Sequence, residues 1–292
     1  MNEKIVKVDG TEIELSNLDK KLYPKDGYTK QDIINYYEKI SPYMLTHLAD
    51  RPLVMDHYPD GINGEHFYQK QTPGHFPKWI KRIQVKLEKG GSDQMVVAEK
   101  KADLVYLANQ AVITPHVFLS RAPKLHCPDK IVFDLDPSKK DLSNLRFAAL
   151  EVKKYFEKLG HSVFVMTSGV KGYHVVIPIK PTRNFDLVRE AAKGIAAELA
   201  RKFPDVLTDE VVKNKRRGRV FLDYLRNSYG QISVAPYSLR AVDSAPVATP
   251  ITWSELPKVA PQNINIKNIL SRVVNKKDPW ARIYQRAKEL KV

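Results

Sequence analysis

The chain has 292 residues, 43% of them hydrophobic and 28% charged, with one cysteine and a net charge of +15 from 48 Lys and Arg against 33 Asp and Glu. These proportions describe a soluble globular protein with a sizeable core and exclude a transmembrane one, because no apolar run reaches membrane-spanning length. Cys127 alone excludes an internal disulfide, and the basic excess points to a polyanionic partner, nucleic acid first, with a basic protein that binds none as the alternative.

The start, Met1-Asn2-Glu3-Lys4, is polar, so the expected location is the cytoplasm, at the nucleoid if the partner is DNA. Lys4–Val8 and Thr11–Leu15 flank Asp9-Gly10, which predicts a hairpin, since this dipeptide accepts the positive φ of a two-residue turn. A loop is expected over 16–28. Thr29-Lys30-Gln31-Asp32 reads as a capping box opening a helix, with Ile33, Ile34, Tyr37, Ile40 and Met44 at helical spacing. Residues 52–58 suit a strand, and 59–78 suit a long loop or short irregular hairpin. A helix is predicted over 103–113, a buried strand over 130–134, and an amphipathic helix over 142–159 ended by Gly160. Strands at 161–166 and 173–179 are joined by a turn, and a helix over Phe185–Lys202 precedes a strand at 219–225. The Pro-rich stretch 241–262 is expected to wrap the surface with Trp253 as anchor, and the tail from Ile264 onward to be largely helical. No repeat or linker interrupts this order, so the expected fold class is α/β, one domain over 1–292 with mixed sheets.

The most informative stretch is Ile131-Val132-Phe133-Asp134-Leu135-Asp136-Pro137. Strand alternation turns Asp134 and Asp136 to one face, while Phe133 and Leu135 pack behind. Adjacent acids repel unless a cation lies between them, and oxygen-only ligation suits Mg²⁺ or Mn²⁺; two solvated aspartates at a strand end are the plain alternative. A third acid, Asp223, interrupts the apolar strand Arg219-Val220-Phe221-Leu222-Asp223-Tyr224-Leu225 and needs a partner, either a shared metal or Arg226. The turn Thr167-Ser168-Gly169-Val170-Lys171-Gly172-Tyr173-His174 combines glycines for positive φ and close approach with Ser168, Lys171 and His174 for phosphate oxygens. A basic run, Lys213 to Arg219, including Arg216 and Arg217, leads into the Asp223 strand; a solvated charged face is its alternative reading. Three carboxylates, a phosphate turn and converging bases suit two-metal nucleotidyl transfer to a 3′-hydroxyl.

In set and order, Asp134-x-Asp136, Ser168-Gly169-x-Lys171-Gly172-x-His174 and Phe221-Leu222-Asp223-Tyr224 resemble the three motifs of the archaeo-eukaryotic primase superfamily. With Ala235-Pro236-Tyr237-Ser238-Leu239-Arg240 and Thr252-Trp253-Ser254-Glu255-Leu256, the chain resembles the polymerase domain of the ligase D proteins of prokaryotic non-homologous end joining, from about residue 15 to 256. The resemblance implies a primase-like catalytic domain with central mixed or antiparallel sheets flanked by helices, followed by a mostly helical tail over 257–292. It implies two metal ions held by Asp134, Asp136 and Asp223, triphosphate contacts from Ser168, Lys171 and Arg240, and His116 near the nucleotide. Phe67 and Tyr68 match aromatics that stack on bases, although Tyr68 stands where the family usually has Phe. Asn17, Lys20 and Lys30 match a pocket for the 5′-phosphate of a DNA gap or overhang, and the helix N-terminus at Lys30 adds free amides and the macrodipole. Arg216 and Arg217 fall where relatives approach the nucleic-acid backbone.

The expected activity is therefore DNA-dependent nucleotidyl transfer in gap filling and end extension, with ribonucleotides preferred over deoxyribonucleotides, Mn²⁺ effective, and Ku and a DNA ligase as partners. A transient dimer on DNA ends is compatible with that role. The C-terminal helix reads as complete, which favours a chain that meets its ligase as a separate protein over an excised domain. The alternatives are a DNA-end-bridging module without synthesis, a primase that starts chains unaided, and a two-metal nuclease. A binding surface gains nothing from three acids, unaided initiation has no use for a 5′-phosphate pocket, and a nuclease none for Ser168, Lys171 and Arg240.

Overall fold

The structure, a computed structural model, describes residues 3–137 and 142–291. Residues 1, 2 and 292, the ends of the expected domain, and residues 138–141 lie outside the described residues. The chain divides into two compact units, each assembled from separate stretches of sequence. The first takes the chain up to Val117 together with Val234–Ala248 and Ile264–Lys277; the second takes Phe118–Ser233, Thr249–Asn263 and the chain from Asp278.

The first unit opens with the hairpin of β1 (Lys4–Val8) and β2 (Thr11–Leu15), whose turn residues Asp9 and Gly10 both have positive φ. Within the expected 16–28 loop lie two short paired strands, β3 (Lys21–Tyr23) and β4 (Tyr28–Thr29). Helix α1 (Lys30–Leu48) starts at the predicted capping box: Thr29 accepts from the Asp32 amide, and Asp32 from the Thr29 amide. It buries Ile33, Ile34, Tyr37, Ile40 and Met44 on one face. Strand β5 (Leu53–His57) pairs antiparallel on one side with β6 (Phe67–Gln69) and on the other with β9 (Val112–Phe118). Between them in sequence come a hairpin that periodicity did not reveal, β7 (Arg82–Lys86) with β8 (Ser92–Val96), and α2 (Lys101–Asn109). The helix predicted over 103–113 is thus corrected at its end. Ala111 takes φ 56°, and β-branched Val112, Ile113 and Thr114 continue as β9.

The second unit is built on a six-stranded sheet. In chain order its elements are β10 (Lys130–Asp136), α3 (Leu142–Lys158), β11 (Phe164–Thr167), β12 (Tyr173–Pro178), α4 (Phe185–Lys202), β13 (Leu207–Thr208) and β14 (Val220–Asp223). After β15 (Ile232–Val234), the sixth strand of that sheet is β16 (Pro250–Ile251). The strand order is β13-β14-β10-β12-β11-β16, antiparallel except for β13 beside β14. Leu145, Ala148, Val152 and Phe156 of α3 and Val188, Ala192 and Ile195 of α4 are buried, the amphipathic faces the sequence pattern predicts.

Two expectations for the C-terminal third are corrected. The 241–262 stretch wraps the surface only in part: Ala245, Val247, Ala248 and Ile251 are buried, and Tyr237 donates its amide to Ala248, while Asp243, Ser244, Thr252 and Lys258 stay exposed. Trp253 does act as an anchor, donating from Nε1 to the Val163 carbonyl 2.8 Å away. The tail is not largely helical, holding only α5 (Ile269–Asn275) and a 3₁₀ turn at Tyr284–Arg286 among the described residues. Pro279 removes a backbone donor, and the chain is held instead by Trp280, buried and bonded from Nε1 to the Val165 carbonyl.

Candidate active site

Asp134 and Asp136 stand two residues apart on β10, facing away from Phe133, whose ring packs 5.8 Å from Phe156 of α3. The helices therefore cover the apolar side and leave the other side to the acids. Register then completes the group. Asp223 on β14 lies directly across from Asp134, and His174 on β12 directly across on the other side. Cross-strand partners share a face, so three aspartates and one imidazole meet on adjacent strands.

His174 places Nε2 3.3 Å from Asp134 Oδ1 and Nδ1 3.3 Å from Ser233 Oγ. Arg226, in the 3₁₀ turn Leu225–Asn227 after β14, holds Nε 3.4 Å from Asp134 Oδ2 and 3.8 Å from Asp223 Oδ2. The Arg226 partner envisaged for Asp223 is therefore present, but it bridges two acids rather than removing one from the group. Burial, then the neighbouring Asp134 charge, raises the pKa of Asp136; burial also raises that of Asp223, opposed by the Leu225 amide that donates to it at 2.8 Å.

Among the described residues no group of three or more His, Cys, Asp or Glu side chains is drawn into a metal cage, and the carboxylates turn to cationic neighbours. The donor set nevertheless fits a hard divalent ion. All donors are carboxylate oxygens on adjacent strands, and their mutual repulsion is what a cation relieves.

The turn after β11 is organised by Ser168, whose Oγ accepts from the amides of Val170 at 3.3 Å and Gly172 at 3.0 Å. Gly169 takes φ 75°, as expected of a glycine turn, and Lys171 is exposed. Gly172 has a different reason from the expected approach to a ligand. A Cβ there would run into the carbonyl oxygen of Leu135, so the close approach is to β10, between the two aspartates. The basic run forms a 3₁₀ turn, Lys213–Arg216, and only part of it is a solvated face. Arg216 folds back, its guanidinium 4.0 Å above the Phe221 ring, with Nε donating to the Glu210 carbonyl and Nη1 4.0 Å from Asp136 Oδ2. Arg217 is exposed with φ 51°.

The remaining predicted residues lie in the first unit. His116 on β9 is buried, its Nδ1 3.0 Å from the Thr114 carbonyl and its ring edge-on to Tyr68 at 5.6 Å. The Arg240 amide donates to Pro246, and its carbonyl accepts from Tyr23. Phe67 and Tyr68 are 50% and 54% exposed. As neighbours on β6 they face opposite ways: Phe67 stacks on His57 at 4.9 Å, and Tyr68 turns to His116. Asn17, Lys20 and Lys30 are brought together, for the Lys20 amide donates to Asn17 and the Lys30 amide to the Lys20 carbonyl. The free amides expected at that helix start are not found. Those of Lys30, Gln31 and Asp32 already donate to Lys20, Leu18 and Thr29. The Lys30 ammonium donates to the Asn109 carbonyl, and burial, then the charge of Lys20, lowers its pKa.

Sequence reasoning missed Ser233, which holds the far nitrogen of His174, and Asn227. The Asn227 side chain accepts from the Val132 amide and donates to the Val132 and Tyr224 carbonyls, fixing the turn that carries Arg226. A polar residue just beyond the expected end of the Asp223 strand at Leu225 was the available signal for Asn227; nothing in the sequence marked Ser233.

Comparison with known proteins places the chain in a family. A family model described as "LigD, primase-polymerase domain" matches residues 29–280, starting and ending later than the 15–256 resemblance. The chain is 31% identical over 269 residues to the multifunctional non-homologous end joining protein LigD of Mycolicibacterium smegmatis, a match covering 89% of this chain and 34% of that protein. It is 30% identical over 276 residues to the bifunctional LigD of Bacillus subtilis, covering 94% and 44%. The chain thus spans less than half the length of the curated relatives it matches. The polymerase domain from Mycobacterium tuberculosis ligase D, solved in complex with DNA, superposes with a TM-score of 0.89 at 31% identity, over 94% of this chain and 99% of that one. By family model, sequence and fold together, the chain belongs to the LigD primase-polymerase domain family.

Proposed function

We propose that this chain extends primer 3′ ends across short gaps and at broken DNA ends, copying a template, with ribonucleotides preferred and a downstream 5′-phosphate recognised. The observation that carries the reading is the cross-strand group of Asp134, Asp136 and Asp223 beside the Ser168–Gly172 turn, in a chain of this family. Asp134, Asp136 and Asp223 would hold two Mg²⁺ or Mn²⁺ ions, which when bound lower the pKa of a 3′-hydroxyl and neutralise triphosphate charge. The chain's own residues do the positioning. Ser168 shapes the turn, exposed Lys171 offers an ammonium to a phosphate oxygen, and His174 holds Asp134 in place from β12. Arg240 and His116 are assigned to the nucleotide, Phe67 and Tyr68 to bases, Arg216 and Arg217 to the nucleic-acid backbone, and Asn17, Lys20 and Lys30 to the 5′-phosphate, all through the family resemblance. Ku and a DNA ligase are the proposed partners and the cytoplasm, at the nucleoid, the proposed location. No helix among the described residues is long and apolar enough to cross a membrane.

The test is primer extension on a gapped duplex with and without a 5′-phosphate, using Mn²⁺ and either ribo- or deoxyribonucleotides. The expected result is extension that favours ribonucleotides, weakens without the 5′-phosphate and is lost in Asp134→Ala. Intact protein that binds the duplex but extends no primer would instead favour a DNA-end-bridging module.

A further inference from the structure

A buried carboxylate in the first unit holds an exposed imidazole. Asp56, on β5, has a side chain only 3% exposed, and both its oxygens are engaged. Oδ1 lies 2.9 Å from His66 Nδ1, and Oδ2 accepts from the Tyr58 hydroxyl at 3.1 Å. Burial, then the Asp56 charge, raises the pKa of that hydroxyl well above its usual value, so it remains a donor. A carboxylate only accepts, so Nδ1 of His66 carries a proton, and the tautomer is set by Asp56. The ring lies flat on Tyr58, with centroids 4.9 Å apart and an interplanar angle of 3°, which fixes its orientation. The His66 side chain is still 46% exposed, and its Nε2 has no partner among the described residues.

An imidazole oriented by a buried acid and stacked on a ring, yet turned to solvent, is built to present Nε2 to something outside the chain. Its surroundings indicate what. His66 directly precedes half-exposed Phe67 and Tyr68, and its ring meets that of Tyr68 edge-on at 5.9 Å. Exposed aromatics on an extended segment offer stacking faces to unpaired bases, and a cationic donor beside them falls within reach of the linking phosphates. We infer that His66, oriented by Asp56, is a phosphate contact for a nucleic-acid strand lying along β6, made when the imidazole is protonated and donates from Nε2.

This rests on the nucleic-acid binding proposed above and adds a residue and a pH dependence to it. The charged and titratable groups around His66 are Asp56 and Tyr58 from β5 and the residue following it, Tyr68 from β6, and Glu65 beside it in the chain. His116 touches Tyr68, and the charge of Arg240 acts on Tyr58. None of these residues is altered in His66→Gln.

The probe is a gapped duplex with a short single-stranded stretch, bound without nucleotide and titrated with salt at about pH 5.5 and about pH 8, on either side of the imidazole range. In the intact protein, log Kobs against log salt is expected to steepen by about one at the lower pH, one extra phosphate contact. His66→Gln is expected to lose that steepening and to match the intact protein at the higher pH. Asp56→Asn, which keeps the shape, is expected to lose it too. Thermal melts of both variants check that they fold. If His66→Gln keeps the full steepening, or weakens binding of ATP alone and not of the duplex, the inference is wrong. Intact protein that binds no duplex at either pH overturns this inference and the function together. Unchanged binding with no primer extension overturns only the polymerase activity.

Discussion

Gly172 is where a single methyl group tests how the site is built. A Cβ at this position would collide with the Leu135 carbonyl oxygen and lie 3.3 Å from the Leu135 carbonyl carbon, with Pro137 Cδ at 3.9 Å. The obstacle is backbone, so no side-chain rotation relieves it. The turn or β10 must move by about 1 Å, and forced repacking of this kind costs about 3 kcal/mol. For a chain of this size that lowers the melting temperature by about 5 °C. Leu135 sits between Asp134 and Asp136, so the displacement falls on the acids themselves, and misplacement of about 1 Å lowers turnover about 100-fold. Gly194, inside α4, is the control: nothing lies within 4 Å of its Cβ position, and alanine there is expected to stabilise by about 1 kcal/mol. Urea denaturation and primer extension on Gly172→Ala and Gly194→Ala measure both effects. Gly172→Ala with the stability and turnover of the parent chain would refute the claim that this glycine seats the turn against β10.

Three further outcomes follow from particular side chains. Asn227→Ala leaves the Val132 amide and carbonyl without their side-chain partner and is expected to cost about 3 kcal/mol in urea denaturation, and to weaken extension by loosening the Arg226 turn. Lys30 has a folded-state pKa lowered from 10.5, so the unfolded chain binds more protons and Lys30 adds stability only as pH rises through the lowered value toward 10.5. Lys30→Met should therefore lose this alkaline gain in thermal melts at stepped pH, while losing the preference for 5′-phosphorylated gaps. Arg226→Met removes the guanidinium between Asp134 and Asp223 and leaves their repulsion for the metal to relieve, so isothermal titration with Mn²⁺ should show tighter binding; unchanged affinity would make Arg226 a bystander.

What could be read in advance depended on whether the signal was local. The Asp9-Gly10 turn, the capping box at Thr29 and the bounds of α4 rest on contacts within a few residues, and all three stand as predicted. Asp134 and Asp136 were legible for the same reason, since alternation along one strand decides their face. The errors lie where tertiary packing overrode local pattern. Val112 continued an apolar run that looked helical, yet Ala111 turns the chain into β9 against β5. Residues 241–262 looked like a surface wrap because their four prolines leave few regular elements, but Ala245, Val247, Ala248 and Ile251 within them are core.

The placement of Asp223 marks the limit of local reasoning. An acid in an apolar strand announces that it has a partner, but not which one, because register between strands far apart in sequence leaves no trace in either. A slip of one residue between β14 and β10 would turn Asp223 to the face of α3, among Phe133 and Phe156, where an ionised carboxylate is prohibitively costly. The acid thereby enforces its own register, since the alignment that sets Asp223 beside Asp134 also keeps it out of the core. That alignment gathers repelling carboxylates on one face, where burial first, and then the charge of Asp134, raises the pKa of Asp136 and Asp223. The repulsion that this alignment concentrates is what the proposed divalent cation would relieve, so metal binding is expected to raise the stability of the folded chain.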